Sequence, residues 1–332
     1  MRSRRSSFVA CLLPLAACSS NPPNTGGDAS IAADVVAADV AVQDAGAPPS
    51  DAPSATDVPT AADVPATACG TERPTITGIR GTEGLVIGPD GTIYYSQNGA
   101  VGRLAPGGSP ENRWVALSGA STVWGLALDP SRQRLYVGSP GNTSIFAVDM
   151  SADPPTASVL LRNAGQPNGL TLAANGDVVY SDFSGGHVYR VTPDGMRAQV
   201  TTARISGANG VAFGPDGSLY VDSYSGGTLI KLTLTGGMES GRETVASSLG
   251  SPDGLAFDAD GRIYVGDNRG RLIRLDADGA NPEVLGMGIS AAANVEFGAG
   301  PLNCTDIYVA SGGTLFRYTM GTARGAAVPW HR

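Results

Sequence analysis

From residue 83 onward the apolar positions fall in short runs that recur with a long period, without the three-to-four-residue period of a helix. One run opens each repeat: 85–87, 126–128, 170–172, 211–213, 255–257 and 295–297. Polar turns follow, among them Pro89-Asp90-Gly91, Asn175-Gly176, Pro215-Asp216-Gly217 and Asp260-Gly261. Such sequences form hairpins because Gly adopts positive φ and Asp or Asn bonds its own backbone. Next comes a β-branched and aromatic run, such as Ile93-Tyr94-Tyr95, Leu135-Tyr136-Val137, Leu219-Tyr220-Val221 or Ile263-Tyr264-Val265, a composition that favours strand. Third runs (188–191, 229–232, 272–275) and fourth runs (114–117, 159–161) complete the unit.

Four antiparallel strands in about 40 to 45 residues make the blade of a β-propeller. Six copies predict an all-β, six-bladed ring over residues 69–332. The stretch Arg73-Pro74-Thr75-Ile76-Thr77 aligns with Gln199-Val200-Thr201-Thr202, a fourth strand. It is therefore expected to complete the last blade, with the tail Gly325–Trp330 as the competitor for that outer position.

One position precedes the opening run in every copy. It holds Glu83, Trp124, Asn168, Asn209, Asp253 and Ala293, at spacings of 41, 44, 41, 44 and 40 residues, and Gly follows it in all but the last copy. Closing the ring brings these positions to its axis. Two carboxylates (Glu83, Asp253) and two amides (Asn168, Asn209) then offer an all-oxygen donor set, which suits Ca²⁺ or Mg²⁺, and the flexible Ca²⁺ shell best. Zinc is disfavoured because the region has only His187 and His331 as imidazoles. The alternative is that Asn-Gly and Asp-Gly are plain turn dipeptides; it does not cover Glu83.

The ends of the chain change the setting. Arg2, Arg4 and Arg5 precede an apolar stretch from Phe8 to Ala17 that is too short to span a bilayer, so residues 1–17 read as a signal peptide. Leu15-Ala16-Ala17-Cys18 resembles a bacterial lipoprotein box, which implies lipid on Cys18; an ordinary secretory signal cut nearby is the alternative. Residues 18–68 are rich in Ala, Asp, Pro and Val, carry no Lys or Arg and lack aromatics, so they read as an extended, disordered tether. Cys11 leaves with the signal, and Cys69 and Cys304 remain as a candidate disulfide in an oxidising cell envelope. The formal net charge of −8, with no basic run after the signal, argues against nucleic acid as partner. Expected partners are a small-molecule substrate and a membrane reached through the lipid alone, with the chain a monomer.

Glu83-Gly84-Leu85, Asn168-Gly169-Leu170, Asn209-Gly210-Val211 and Ser251-Pro252-Asp253-Gly254-Leu255 resemble the senescence-marker-protein (regucalcin), gluconolactonase and luciferin-regenerating-enzyme family. Diisopropylfluorophosphatase and the paraoxonases are its relatives. The resemblance covers about residues 72–321 and implies a six-bladed propeller with a divalent cation held by Glu83, Asn168, Asn209 and Asp253. It departs at Leu85, where the family commonly has Pro, and in lacking the segment that contacts sugar lactones. The implied activity is hydrolysis of a small lactone, ester or phosphoester, with Asp253 as general base or nucleophile. Loops after the second strands are expected to form a substrate rim from Phe183, Tyr224, Asp222 and Asn268, with Asp182 and Asp267 beside them and Trp124 as an aromatic wall; a solvated loop cap is the alternative for each aspartate. The rival readings are a non-catalytic NHL-like propeller that binds a peptide or glycan, and a purely structural Ca²⁺.

Overall fold

A computed structural model of the chain describes residues 70–81, 83–287, 289–321 and 323–326. The expected signal peptide, lipidated Cys18 and tether, Cys69 with its expected bridge to Cys304, and His331 lie outside the described residues. Among the described residues no helix is long and apolar enough to cross a membrane. One 3₁₀ turn, Pro140–Asn142, is the helical structure assigned there.

The remainder is six antiparallel sheets around one axis. Blade one is β1 (Leu85–Ile87), β2 (Ile93–Gln97), β3 (Ala100–Leu104) and β4 (Glu111–Ala116). Blade two is β5 (Leu126–Asp129), β6 (Arg134–Ser139), β7 (Ser144–Asp149) and β8 (Thr156–Leu161). Blade three is β9 (Pro167–Leu172), β10 (Val178–Asp182), β11 (His187–Val191) and β12 (Arg197–Gln199). Blade four is β13 (Ala208–Phe213), β14 (Leu219–Ser223), β15 (Thr228–Thr235) and β16 (Met238–Ala246). Blade five is β17 (Pro252–Phe257), β18 (Ile263–Asp267), β19 (Arg271–Leu275) and β20 (Glu283–Met287). Blade six has three strands, β21 (Asn294–Phe297), β22 (Asp306–Ser311) and β23 (Thr314–Thr319).

The hairpin between first and second strands turns where the sequence predicts. Gly91, Gly176, Gly217 and Gly261 sit at φ of 79°, 84°, 78° and 83°, and the side chains of Asp90, Asn175 and Asp216 accept the backbone N–H two residues on. Second strands are buried on both faces because each blade is sandwiched between two others, so they read as continuous apolar runs. Tyr94 and Tyr95 thus belong to different clusters, on opposite sides of blade one.

Six hydrophobic clusters fill the six spaces between neighbouring blades. The sixth joins Leu85, Ile87 and Tyr95 of blade one to Tyr308, Ala310 and Leu315 of blade six, so the ring is closed by a packed core. Three polar contacts reinforce that seam: Asn294 Nδ2 donates to the Leu85 carbonyl (3.0 Å), Gly81 N donates to the Gly313 carbonyl (3.1 Å), and Arg73 grips Asp306 (2.7 and 3.1 Å).

The expected N-terminal closing strand takes a different form. Gly70 and Glu72 bridge Asn303 and Leu302 in parallel, and Arg317 Nη1 reaches the Pro74 carbonyl (3.2 Å), but residues 73–77 form no ladder on β23. Pro74 lacks an amide proton, and Arg73 spends its side chain on Asp306, so the segment docks by side chains instead of by backbone. Of the tail, Gly325 bridges Asp258 and Ala326 N donates to the Phe257 carbonyl (2.9 Å), which puts residues 325 and 326 on blade five, while residues 327–330 lie outside the described residues.

Candidate active site

The recurring position opens the innermost strand of each blade. Asn168, Asn209 and Asp253 are the second residues of β9, β13 and β17; Glu83 and Trp124 lie two residues ahead of β1 and β5. The glycine that follows is not there for a turn. Gly84, Gly125, Gly169, Gly210 and Gly254 are absent from the positive-φ positions, and each packs against the next blade's backbone. A Cβ at Gly84 would lie 2.2 Å from the Trp124 carbonyl oxygen, at Gly169 2.5 Å from that of Asn209, and at Gly254 2.6 Å from that of Ala293. The plain-turn alternative therefore fails, and the glycines instead let six inner strands approach closely around a narrow channel.

That channel holds a cavity of about 180 Å³, lined by Glu83, Trp124, Asn168 and Asp253 at one mouth and by Phe257, Phe297 and Arg324 among others along its length. Asn168, Asn209 and Asp253 are 7%, 2% and 4% exposed, and Glu83 is half-buried. Burial raises the Glu83 carboxyl above its ordinary range. Asp253 is also raised, by burial first and by the Glu83 charge second, against opposing hydrogen bonds from Asn268 and Asn209. Glu83, Asn168 and Asp253 line the same cavity, and Asn268 Nδ2 donates to Asp253 Oδ2 at 2.8 Å.

The mouth is rich in acceptors and poor in donors. Asn209 Oδ1 is buried with no hydrogen-bond partner, and so are both carboxylate oxygens of Asp222. The unpaired Asn209 oxygen beside two repelling carboxylates fits a hard cation, which would satisfy it together with Glu83 and Asp253. Among the described residues no group of three or more His, Cys, Asp or Glu forms a metal cluster; the set here is two acids and two amides.

The rim divides. Trp124, Phe183 and Tyr224, from three consecutive blades, form one aromatic wall: ring centroids are 6.2 Å apart at 73° and 5.7 Å apart at 69°. The backbone N–H groups of Phe183, Tyr224 and Asn268 bond the carbonyls of Gln166, Gly207 and Ser251 at 3.0, 2.9 and 2.9 Å, which ties each rim loop to the residue two before the slot. Asp222 does not belong to the rim. It is fully buried on β14, because the strand's alternation turns it inward between blades four and five, and burial with the Asp253 charge holds its carboxyl well above the usual range. Asp182 and Asp267 are clamps: Asp182 Oδ1 accepts from Gln166 N (2.9 Å) and Gly185 N (3.0 Å), and Asp267 accepts from Ser251 N (2.8 Å) and pairs with Arg271. His187 hydrogen-bonds Thr201 Oγ1 (3.1 Å) within blade three.

Glu296 escaped the sequence reading. It lines the channel in the middle of β21, where other blades carry Val86, Ala127, Thr171, Ala212 and Ala256, and burial pushes its carboxyl up to about 8. A charge interrupting one copy of an otherwise small or apolar position was the signal.

Comparison with known proteins agrees with this architecture. The chain is 27% identical over 211 residues to a virginiamycin B lyase of Nocardia farcinica (strain IFM 10152), which covers 61% of this chain and 69% of that protein. A gluconolactonase of Xanthomonas campestris shares the fold at 23% identity and a TM-score of 0.61, covering 74% of this chain and 86% of that one. A calcium-binding regucalcin of Agrobacterium tumefaciens strain C58 does so at 18% identity and a TM-score of 0.62, covering 78% and 96%. Residues 181–313, from the end of β10 to the turn after β22, match the SMP-30/Gluconolactonase/LRE-like region.

Proposed function

We propose that this chain is a divalent-cation-dependent hydrolase of a small lactone, ester or phosphoester, of the SMP-30/gluconolactonase/luciferin-regenerating-enzyme kind, exported and held at the cell envelope by lipid on Cys18. The observation that carries the reading is the channel mouth, where Glu83, Asn168 and Asp253 line one cavity beside an orphaned, buried Asn209 oxygen. The family match over residues 181–313 supports it independently.

A bound divalent cation, most suitably Ca²⁺, would polarise the substrate's carbonyl or phosphoryl oxygen. Glu83, Asn168 and Asn209 would hold it. Asp253 would both ligate and react, as base toward water or as nucleophile, and the Asn268 bond to Oδ2 fixes its rotamer. Trp124, Phe183 and Tyr224 offer an apolar face against which the organic part of the substrate packs while water is kept from that side.

The test is a Ca²⁺ titration followed by lactone and aryl-ester assays on wild type, Glu83→Gln and Asp253→Asn. Saturable binding and metal-dependent turnover in wild type, both lost in the variants, are expected; metal binding without turnover would leave a structural ion, and neither would leave a non-catalytic binding propeller. The lyase relative makes elimination without water a second outcome. Reaction in ¹⁸O-water separates the two, since hydrolysis places one solvent oxygen in the product and elimination places none. Palmitate labelling of the full chain, lost in Cys18→Ala, tests the anchor.

A further inference from the structure

Asp222 is the rim candidate that the fold removes from solvent, and its position has no scaffold explanation. It is 0% exposed with both carboxylate oxygens unpartnered, among the costliest arrangements in a protein interior. Its place in the repeat is the fourth residue of the second-strand run, where blades one and three carry Ser96 and Ser181. Those serines tie backbone to backbone. Ser96 Oγ accepts from Glu83 N (3.0 Å) and Gly84 N (2.9 Å); Ser181 Oγ accepts from Gly169 N (3.0 Å) and donates to the Asn209 carbonyl. A hydroxyl therefore meets the structural need of this position. Blade four has a carboxyl there, and it makes none of these bonds.

What surrounds it is the cation site. A Cβ at Gly210 would lie 2.7 Å from Asp222 Oδ2 and 2.7 Å from the Asp253 carbonyl oxygen, so the Asp222 carboxyl sits directly behind the strand entry that carries Asn209 and beside that of Asp253. We propose that Asp222 is a third carboxylate serving the cation site, set behind Asn209 and Asp253, whose charge strengthens divalent-cation binding without contacting the ion. The proposal rests on the cation-site reading given above. Glu83 and Asp253 together balance a doubly charged ion; a third acid leaves the site net negative, and where water is excluded its attraction is weakly attenuated over several ångströms. Residues behind the ligands of a metal commonly change its affinity 10- to 100-fold.

The experiment is calorimetric Ca²⁺ titration of wild type, Asp222→Asn and Asp222→Ser, with the melting temperature of each metal-free protein. Asn keeps the shape, and Ser is what blades one and three use. Both variants are expected to bind Ca²⁺ about 10- to 100-fold more weakly, with metal-free melting temperatures at or above that of wild type, because an unpaired buried acid has been removed. Calcium affinity within twofold of wild type in either variant overturns the proposal, as does weakened binding accompanied by a lower metal-free melting temperature, which would make Asp222 an inter-blade tie. Failure of wild type itself to bind Ca²⁺ would instead overturn the cation-site reading, and this proposal with it.

Discussion

Glu296 shows how much one side chain can depend on its surroundings. On an exposed strand it would titrate near 4.3; in the channel, burial pushes it up to about 8. The folded protein thus holds that proton more tightly than the unfolded chain does. Its contribution to stability is fully present below about pH 4.3 and is lost progressively as pH rises towards 8. The melting temperature of wild type is expected to fall across that window more steeply than that of Glu296→Gln; parallel curves would contradict this assignment. The aromatic wall makes a second prediction at this scale. Trp124→Ala removes the ring that borders the cavity and meets Phe183 edge-on, so KM for an aryl ester should rise about tenfold, for a loss of roughly 1.4 kcal/mol of aromatic packing, while the Ca²⁺ affinity stays. Loss of Ca²⁺ binding instead would place Trp124 among the supports of the ligands.

At the scale of the strand, the glycine after each slot residue decides whether the ligands can meet. A methyl group at Gly169 would stand 2.5 Å from the Asn209 carbonyl oxygen and 2.8 Å from Val211 N, both backbone atoms that cannot rotate away. Gly169→Ala should cost about 1–3 kcal/mol as overpacking and, because it wedges blade three from blade four, weaken Ca²⁺ binding as well. Gly241→Ala is the control: it lies in β16, and its nearest neighbours are Thr233 side-chain atoms 3.5 Å away. Equal melting temperatures and affinities for the two variants would refute the close-packing account. The slot-Gly pairs were legible as a repeat because their spacing is regular. Their reason was not, since Asn-Gly reads equally well as a turn until the strands on either side of the channel are in place.

Across the whole molecule, the ring must be closed between segments more than 200 residues apart. Arg73 and Asp306 make one of the polar contacts of that closure: Asp306 is fully buried and takes bonds from Arg73 (2.7 and 3.1 Å) and Thr319 (2.7 Å), with Arg317 at 3.6 Å. Burial alone would raise its carboxyl, but the bonds from Arg73 and Thr319 win and hold it below the usual range. Its stabilisation is therefore complete above about pH 4 and is lost as pH falls through the lower folded value. Arg73→Ala should lower the melting temperature at neutral pH and lose much of that deficit in acid, where Asp306 is protonated in either protein; a deficit constant to pH 2 would tell against the ion pair. The repeat period, hairpin turns and apolar runs were enough to specify six antiparallel blades, five of them four-stranded among the described residues, and the recurring position at the channel, because a blade's local hydrogen bonding depends on sequence neighbours within about 45 residues. The docked N-terminal segment, the contacts of Gly325 and Ala326 with blade five and the removal of Asp222 from the rim were decided only by the closed ring. Each turns on which surface a distant segment meets, and that depends on inter-blade packing and desolvation, which no local pattern encodes.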